Sequence, residues 1–101
     1  MATSATDRQA LRIDKWLWHA RFFRTRRLAA EVVAAGRVRV NGVHATRASR
    51  LVGPGDTLTF PQGRRIRVIR VLAVAARRGP AAEAALLFED LDPLPPKSAL
   101  E

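Results

Sequence analysis

The side chains best suited to chemistry in this sequence are arginines, and the chemistry is the non-covalent grip of phosphate. Arg24, Arg26 and Arg27 surround Thr25 at the expected start of a helix. A helix N-terminus offers free N–H groups and the positive end of its dipole, which suits a phosphate. Acids rather than bases are favoured in a first helical turn, so an anionic ligand explains three arginines there better than folding does. Arg37 and Arg39 project from one face of an expected strand, beside Asn41-Gly42 at a hairpin tip. Arg12 and Lys15 lie on the preceding helix. With the hairpin folded beside the second helix, these groups form one continuous surface that tracks a nucleic-acid backbone. Arg47 and Arg50 join the set by charge and placement. Asn41-Gly42 taken alone is read as turn geometry before base contact.

Other chemistries find little support. His19 and His44 fall in different elements with no ligand spacing, and there is no cysteine, so no metal site is expected. His19 is read as a helix-surface residue. Ser49 and Thr25 have no motif placing a base beside them. Asp14 is expected to pair with a neighbouring arginine, and Asp56 to shape its turn. No glycine-rich phosphate loop is present. Neither an enzyme nor a bound cofactor is expected.

The chain has 101 residues, enough for one domain with tails. Its net charge of +9 is an average over two regions. Residues 8–78 hold 17 of the 18 Lys+Arg and only three acids, Asp14, Glu31 and Asp56, for a net +14. Residues 79–101 hold Lys97 against five acids, a net −4. A basic body of this kind needs an anionic partner. Sixteen of the 18 bases are arginine, whose planar fork grips phosphate with two bonds and stacks on bases. High genomic G+C content accounts for much of the arginine-for-lysine choice, but not for the missing acids. No apolar run approaches the roughly 18 residues of a membrane span. The N-terminus lacks a secretory pattern, and the absence of cysteine fits a reducing compartment.

The elements that must position these arginines follow from periodicity. Residues 1–10 and 93–101 read as flexible tails around a domain over 11–92. Ile13, Trp16, Leu17 and Ala20 form a helical stripe, and this helix is expected to end through Phe22 and Phe23 near Arg24. Trp18 and Phe22 lie off the stripe and are read as a second packing face, with base stacking as the alternative. Thr25 is the expected N-cap of a second helix with Leu28, Ala29, Val32 and Val33 buried, closed by Gly36. The period then changes to two. Arg37 to Val40 is a strand, Asn41-Gly42 a type I′ turn, and Val43–Thr46 the returning strand. A turn at Gly53–Asp56 leads into a strand over Thr57–Phe60, and Pro61–Gly63 turns again. Arg64–Ala75 is apolar on both faces and so expected to be covered on both, or bulged. Pro80 opens a last helical stretch over Ala81–Phe88.

In this order, Arg12-Ile13-Asp14-Lys15-Trp16-Leu17, Arg24-Thr25-Arg26, Gly36-Arg37-Val38-Arg39-Val40-Asn41-Gly42 and Gly55-Asp56 resemble the S4 RNA-binding domain over about residues 11–60. Trp16–Phe23 and Arg77–Glu89 narrow the resemblance to the ribosome-associated heat shock protein 15 family, extending it to about residue 92. The resemblance implies an α+β fold of the S4 (alpha-L motif) type, with two packed helices, a small mostly antiparallel sheet and a short later helix. It implies a small, cytoplasmic, non-enzymatic protein. Such a protein binds ribosomal RNA on the large subunit when that subunit still holds a nascent chain on tRNA, and it aids rescue and recycling. It places RNA contacts at Arg12, Lys15, Arg24, Thr25, Arg26, Arg37, Arg39 and Asn41. Arg27, Arg47 and Arg50 are added from charge and placement. Better-known members continue into a long basic C-terminal extension where this sequence is acidic. A monomer is expected. The rival readings are an S4-type binder of tRNA or ribosome-assembly factor, a detached targeting domain of an rRNA-modifying enzyme, and a DNA-binding module.

Overall fold

The computed structural model describes residues 9–92, and the tails expected over 1–10 and 93–101 lie outside the described residues apart from Gln9 and Ala10. Strand β1 (Leu11–Arg12) turns directly into α1 (Ile13–His19), followed by α2 (Arg26–Ala34). The stripe of Ile13, Trp16, Leu17 and Ala20 is buried as its spacing requires, against Ala29 and Val33 of α2 and the strands beyond. Strands β2 (Val38–Val40) and β3 (Val43–Ala45) form the hairpin on Asn41-Gly42. Both turn residues have positive φ, 54° and 85°, as a type I′ turn demands.

Strand β4 (Leu51–Val52) returns to pair with β1, placing Leu11 opposite Val52. Strands β5 (Thr57–Gln62) and β6 (Arg65–Val71) follow, then a short helix α3 (Ala81–Ala84), a 3₁₀ turn (Ala85–Leu87) and β7 (Phe88–Asp90). The second sheet has the order β3-β2-β5-β6-β7, antiparallel throughout. The fold is α+β, with α1 and α2 packed on one face of this sheet. The rings of Phe22, Phe60 and Phe88 meet in the core at 4.6–4.9 Å between centroids.

Several expectations fail for identifiable reasons. Helix α1 starts at Ile13, so Arg12 lies in β1, paired with Leu51, rather than on the helix, and α1 stops at His19 rather than near Phe23. Arg21 takes φ +68°, its N–H bonds Trp18 O, and Phe22 N–H reaches back to Leu17 O at 3.0 Å. This is a Schellman stop with arginine where glycine is usual, and the Arg21 side chain bonds Gly79 O at 2.8 Å. Gly36 ends α2 with the same backbone pattern and the usual residue. Leu28 is 43% exposed instead of buried, because the α2 stripe in contact with α1 is carried by Ala29 and Val33.

The long apolar run is covered on one face only. Ile69 and Val71 are buried, whereas Ile66 and Leu72 are exposed on the outer face. The strand also ends at Val71. Beyond it, Trp16 Nε1 donates to Ala73 O at 2.9 Å and His19 Nδ1 lies 3.1 Å from Ala75 O. Side chains of α1 thus take carbonyls that a neighbouring strand would otherwise use. His19 is consequently buried, 3% exposed, rather than on the surface. The expected turn at Pro61–Gly63 shifts one residue on, with Gln62 paired to Arg65. The last helical stretch ends early, because Phe88 pairs with Val71 and stacks on Phe22.

Candidate nucleic-acid interface

A buried carboxylate organises the basic surface. Asp14, 2% exposed, accepts Arg12 Nε and Nη2, both at 3.1 Å, on its two oxygens. It also accepts the backbone N–H of Lys15 at 2.8 Å and Arg26 Nε at 3.3 Å. Burial by itself would raise the Asp14 carboxyl. The bonds from Arg12, from the Lys15 N–H and from Arg26 outweigh it and hold the group below the ordinary carboxylate value. Asp14 therefore stays charged and fixes two arginines from two different elements, each with its side chain still more than two-fifths exposed. The expected pairing of Asp14 with a neighbouring arginine is present twice over.

At the start of α2, Thr25 Oγ1 accepts the N–H of Leu28 at 3.1 Å, the expected N-cap. The Thr25 hydroxyl proton remains available to donate. Arg24 is exposed with no carboxylate within ion-pair distance among the described residues. Arg27 is paired with Glu31 at 3.1 Å one turn on, but the pair is open to water and weak.

Arg37 and Arg39 stand at the other end of α2, about 14 Å away by helix rise. Arg39 is on the outer face of the sheet, opposite His44 and Thr59. Both are exposed and free of carboxylate partners among the described residues. Asn41 is different. Its Nδ2 donates to Asp56 Oδ1 at 3.0 Å, and its Oδ1 accepts the Thr57 N–H at 2.9 Å. Asp56 also accepts the Gly53 N–H at 2.9 Å, so it shapes its turn as expected. Both polar ends of Asn41 are engaged in the fold, in keeping with the turn-geometry reading.

Loop 46–50 lies against the start of α1. Ile13 N–H bonds Arg50 O at 2.7 Å and Asp14 N–H bonds Ala48 O at 3.3 Å. Arg47 and Arg50 are exposed on this loop. The structure thus gathers Arg12, Lys15, Arg24, Thr25, Arg26, Arg27, Arg47 and Arg50 around the two helix starts, and sets apart Arg37, just before β2 rather than in it, and Arg39 on β2.

Two further side chains extend the surface. Arg78 Nε donates to Trp18 O at 3.0 Å, and its guanidinium carbon lies 5.6 Å from the Trp18 ring centroid. Phe22 is buried, 6% exposed, as a packing residue, whereas Trp18 is half-buried under this arginine. The off-stripe position of Trp18 was visible in the sequence; its partner sixty residues away was not. Arg67 shows the converse. It is largely buried, bonded to Asp90 at 2.8 Å and Gln62 at 2.7 Å, and lies over the Phe22 ring. Its charge serves the core. Among the described residues no helix is long and apolar enough to cross a membrane, and no His/Cys/Asp/Glu cluster has the makings of a metal site.

The S4 domain family profile matches residues 11–58. Heat shock protein 15 of Escherichia coli strain K12 is 46% identical over 80 residues, covering 79% of this chain and 59% of that protein. The heat shock protein 15 homolog of Aeromonas salmonicida is 37% identical over 92 residues, covering 91% of this chain and 69% of the homolog. The chain belongs to the heat shock protein 15 family. A solved structure of Vibrio cholerae heat shock protein 15, described as trimeric, superposes with a TM-score of 0.77 at 37% identity, over 82% of this chain and 83% of the other. The RQC P-site tRNA stabilizing factor of Bacillus subtilis is 41% identical over 61 residues, 60% of this chain and 70% of that factor. The chain spans about three-fifths of the length of the E. coli heat shock protein 15. The match to the S4 domain covers every expected contact position from Arg12 to Arg50, and the Trp18–Arg78 pair joins it to the later segment of the family.

Proposed function

We propose that this chain binds structured ribosomal RNA on the large ribosomal subunit, in complexes that still hold a nascent chain on tRNA, and aids their rescue and recycling. The observation that carries this reading is the set Lys15, Arg24, Arg37, Arg39, Arg47 and Arg50. These cations have no carboxylate partner among the described residues; Lys15, Arg24, Arg47 and Arg50 stand near the two arginines locked by Asp14, and Arg37 and Arg39 lie apart at the far end of α2 on the same S4 domain. The cations neutralise phosphates while the rigid helix start and hairpin match RNA shape. The mechanism is non-covalent, and the protein works in the cytoplasm. A tRNA contact is part of the proposal, supported by the Bacillus subtilis relative's being named for stabilising P-site tRNA.

The deciding experiment is sedimentation of tagged protein from lysate. Travel with large subunits supports the reading; travel with small subunits, or with neither, overturns it. In purified form, Arg24→Glu with Arg39→Glu should lower affinity for structured RNA while the fold is kept, because neither side chain has an acid partner. Arg26 is unsuitable for charge reversal, since a glutamate there would face Asp14. Binding equal to wild type, or a preference for duplex DNA in competition, would remove the RNA assignment. Light scattering distinguishes the monomer we expect from the trimer described for the Vibrio cholerae protein.

A further inference from the structure

Loop 46–50 and the end of β3 enclose an open cleft of about 270 Å³ lined by His44, Ala45, Thr46, Arg47, Ser49 and Arg50. We propose that this cleft is a phosphate-binding pocket, distinct from the Asp14-centred cluster, that holds one phosphate of the bound RNA; the proposal rests on the RNA-binding reading and deepens it.

Three features point to phosphate. First, Arg47 and Arg50 line the cleft and no Asp or Glu does. Neither Arg47 nor Arg50 has an ion-pair partner among the described residues. Uncompensated positive charge in a concave site focuses potential and draws anions. Second, the donors match the ligand. Two planar forks and the Ser49 and Thr46 hydroxyls suit a tetrahedral oxyanion. The volume also leaves room for several waters of about 30 Å³ each beside the phosphate.

Third, the walls are held in place. Arg50 N–H closes a turn on Arg47 O at 3.0 Å, and Ile13 N–H anchors Arg50 O at 2.7 Å. Asp14 N–H holds Ala48 O at 3.3 Å. On the opposite rim His44 Nδ1 lies 2.9 Å from Gly36 O, tying the hairpin to the end of α2. The pocket is therefore pre-formed, and ligand binding need not order its backbone.

The test titrates inorganic phosphate into the full chain and follows backbone amides by NMR. Saturable shifts at Thr46, Arg47, Ser49 and Arg50 that vanish in the Arg47→Gln/Arg50→Gln variant are expected. Absence of saturation, or shifts that persist in the variant, overturn the pocket. A second arm measures RNA affinity against salt. The variant should flatten the log–log slope by about 0.7–0.9, the loss of one phosphate contact; an unchanged slope counts against the pocket while leaving the RNA reading intact. Conversely, saturable phosphate shifts in a protein that binds no RNA would overturn the RNA reading and the assignment of the phosphate to RNA, leaving only an anion site. Paired oligoribonucleotides with and without a 5′-phosphate identify the source. Equal affinity assigns a backbone diester, and weaker binding of the 5′-hydroxyl form assigns a chain end.

Discussion

Arg26 and Asp14 are twelve residues apart in sequence and 3.3 Å apart in space, so the first residue of α2 is fastened to the buried start of α1. The same carboxylate holds Arg12. Asp14 therefore decides where two cations point, and a substitution there separates orientation from net charge. Asp14→Asn adds one positive charge to the protein. On charge alone, affinity for RNA would rise. We expect it to fall, because Arg12 and Arg26 lose their shared anchor, with a stability loss of about 1–3 kcal/mol. Filter binding and urea denaturation of the same preparation check both statements; tighter binding by the variant would sink the positioning role.

Acidification should destabilise the protein in two stages. Burial lowers the His19 pKa below 6.5. The Ala75 carbonyl opposes that shift, and the charges of Lys15, Arg26 and Arg78 reinforce it. The unfolded chain then takes up a proton before the folded one, so stability falls as pH drops below about 6.5 towards the folded value. Asp14 is also depressed, so its contribution is complete above the ordinary carboxylate range and is lost as pH falls through the folded value. Denaturation midpoints measured across pH should show both stages, and His19→Gln should abolish the upper one alone.

Asn41 is predicted to matter for the fold more than for the ligand. Asn41→Ala removes the bonds to Asp56 and Thr57 and puts alanine at φ 54°. A loss of about 1–3 kcal/mol is expected, with RNA affinity of the folded fraction close to wild type. A variant of full stability but tenfold weaker binding would return Asn41 to the contact set.

Trp16→Phe keeps the aromatic core but leaves the Ala73 carbonyl without its indole donor. We expect about 1–3 kcal/mol of destabilisation and faster amide exchange in the 72–75 segment. No change in either quantity would show that α1 does not hold that segment.

The start of α2, the hairpin and the basic bias of residues 8–78 were legible in the sequence, because capping, positive-φ turn chemistry and charge are local signals. The buried faces were legible where one periodicity governed them, as at Ile13, Trp16, Leu17 and Ala20. What escaped was set by distant partners. Arg21 ends a helix without glycine, in company with a side-chain bond to Gly79. His19 is drawn inward by Ala75, and β4 and β7 are too short for alternation to show. Arg67 looked like any other arginine until Asp90 and Gln62 were placed beside it. The candidate contact positions lie on the best-read part of the chain, while the division between locked and acid-free arginines emerged only from the folded structure.

The pairing of Leu11 with Val52 sets an order of events during synthesis. Arg12 lies beside it, and the loop carrying Arg47 and Arg50 closes on the residues that follow Arg12. A growing chain cannot complete this arginine surface until Val52 has been added and has cleared the exit tunnel. The shape that we propose recognises ribosomal RNA comes into being only after its own first half has left the ribosome that made it.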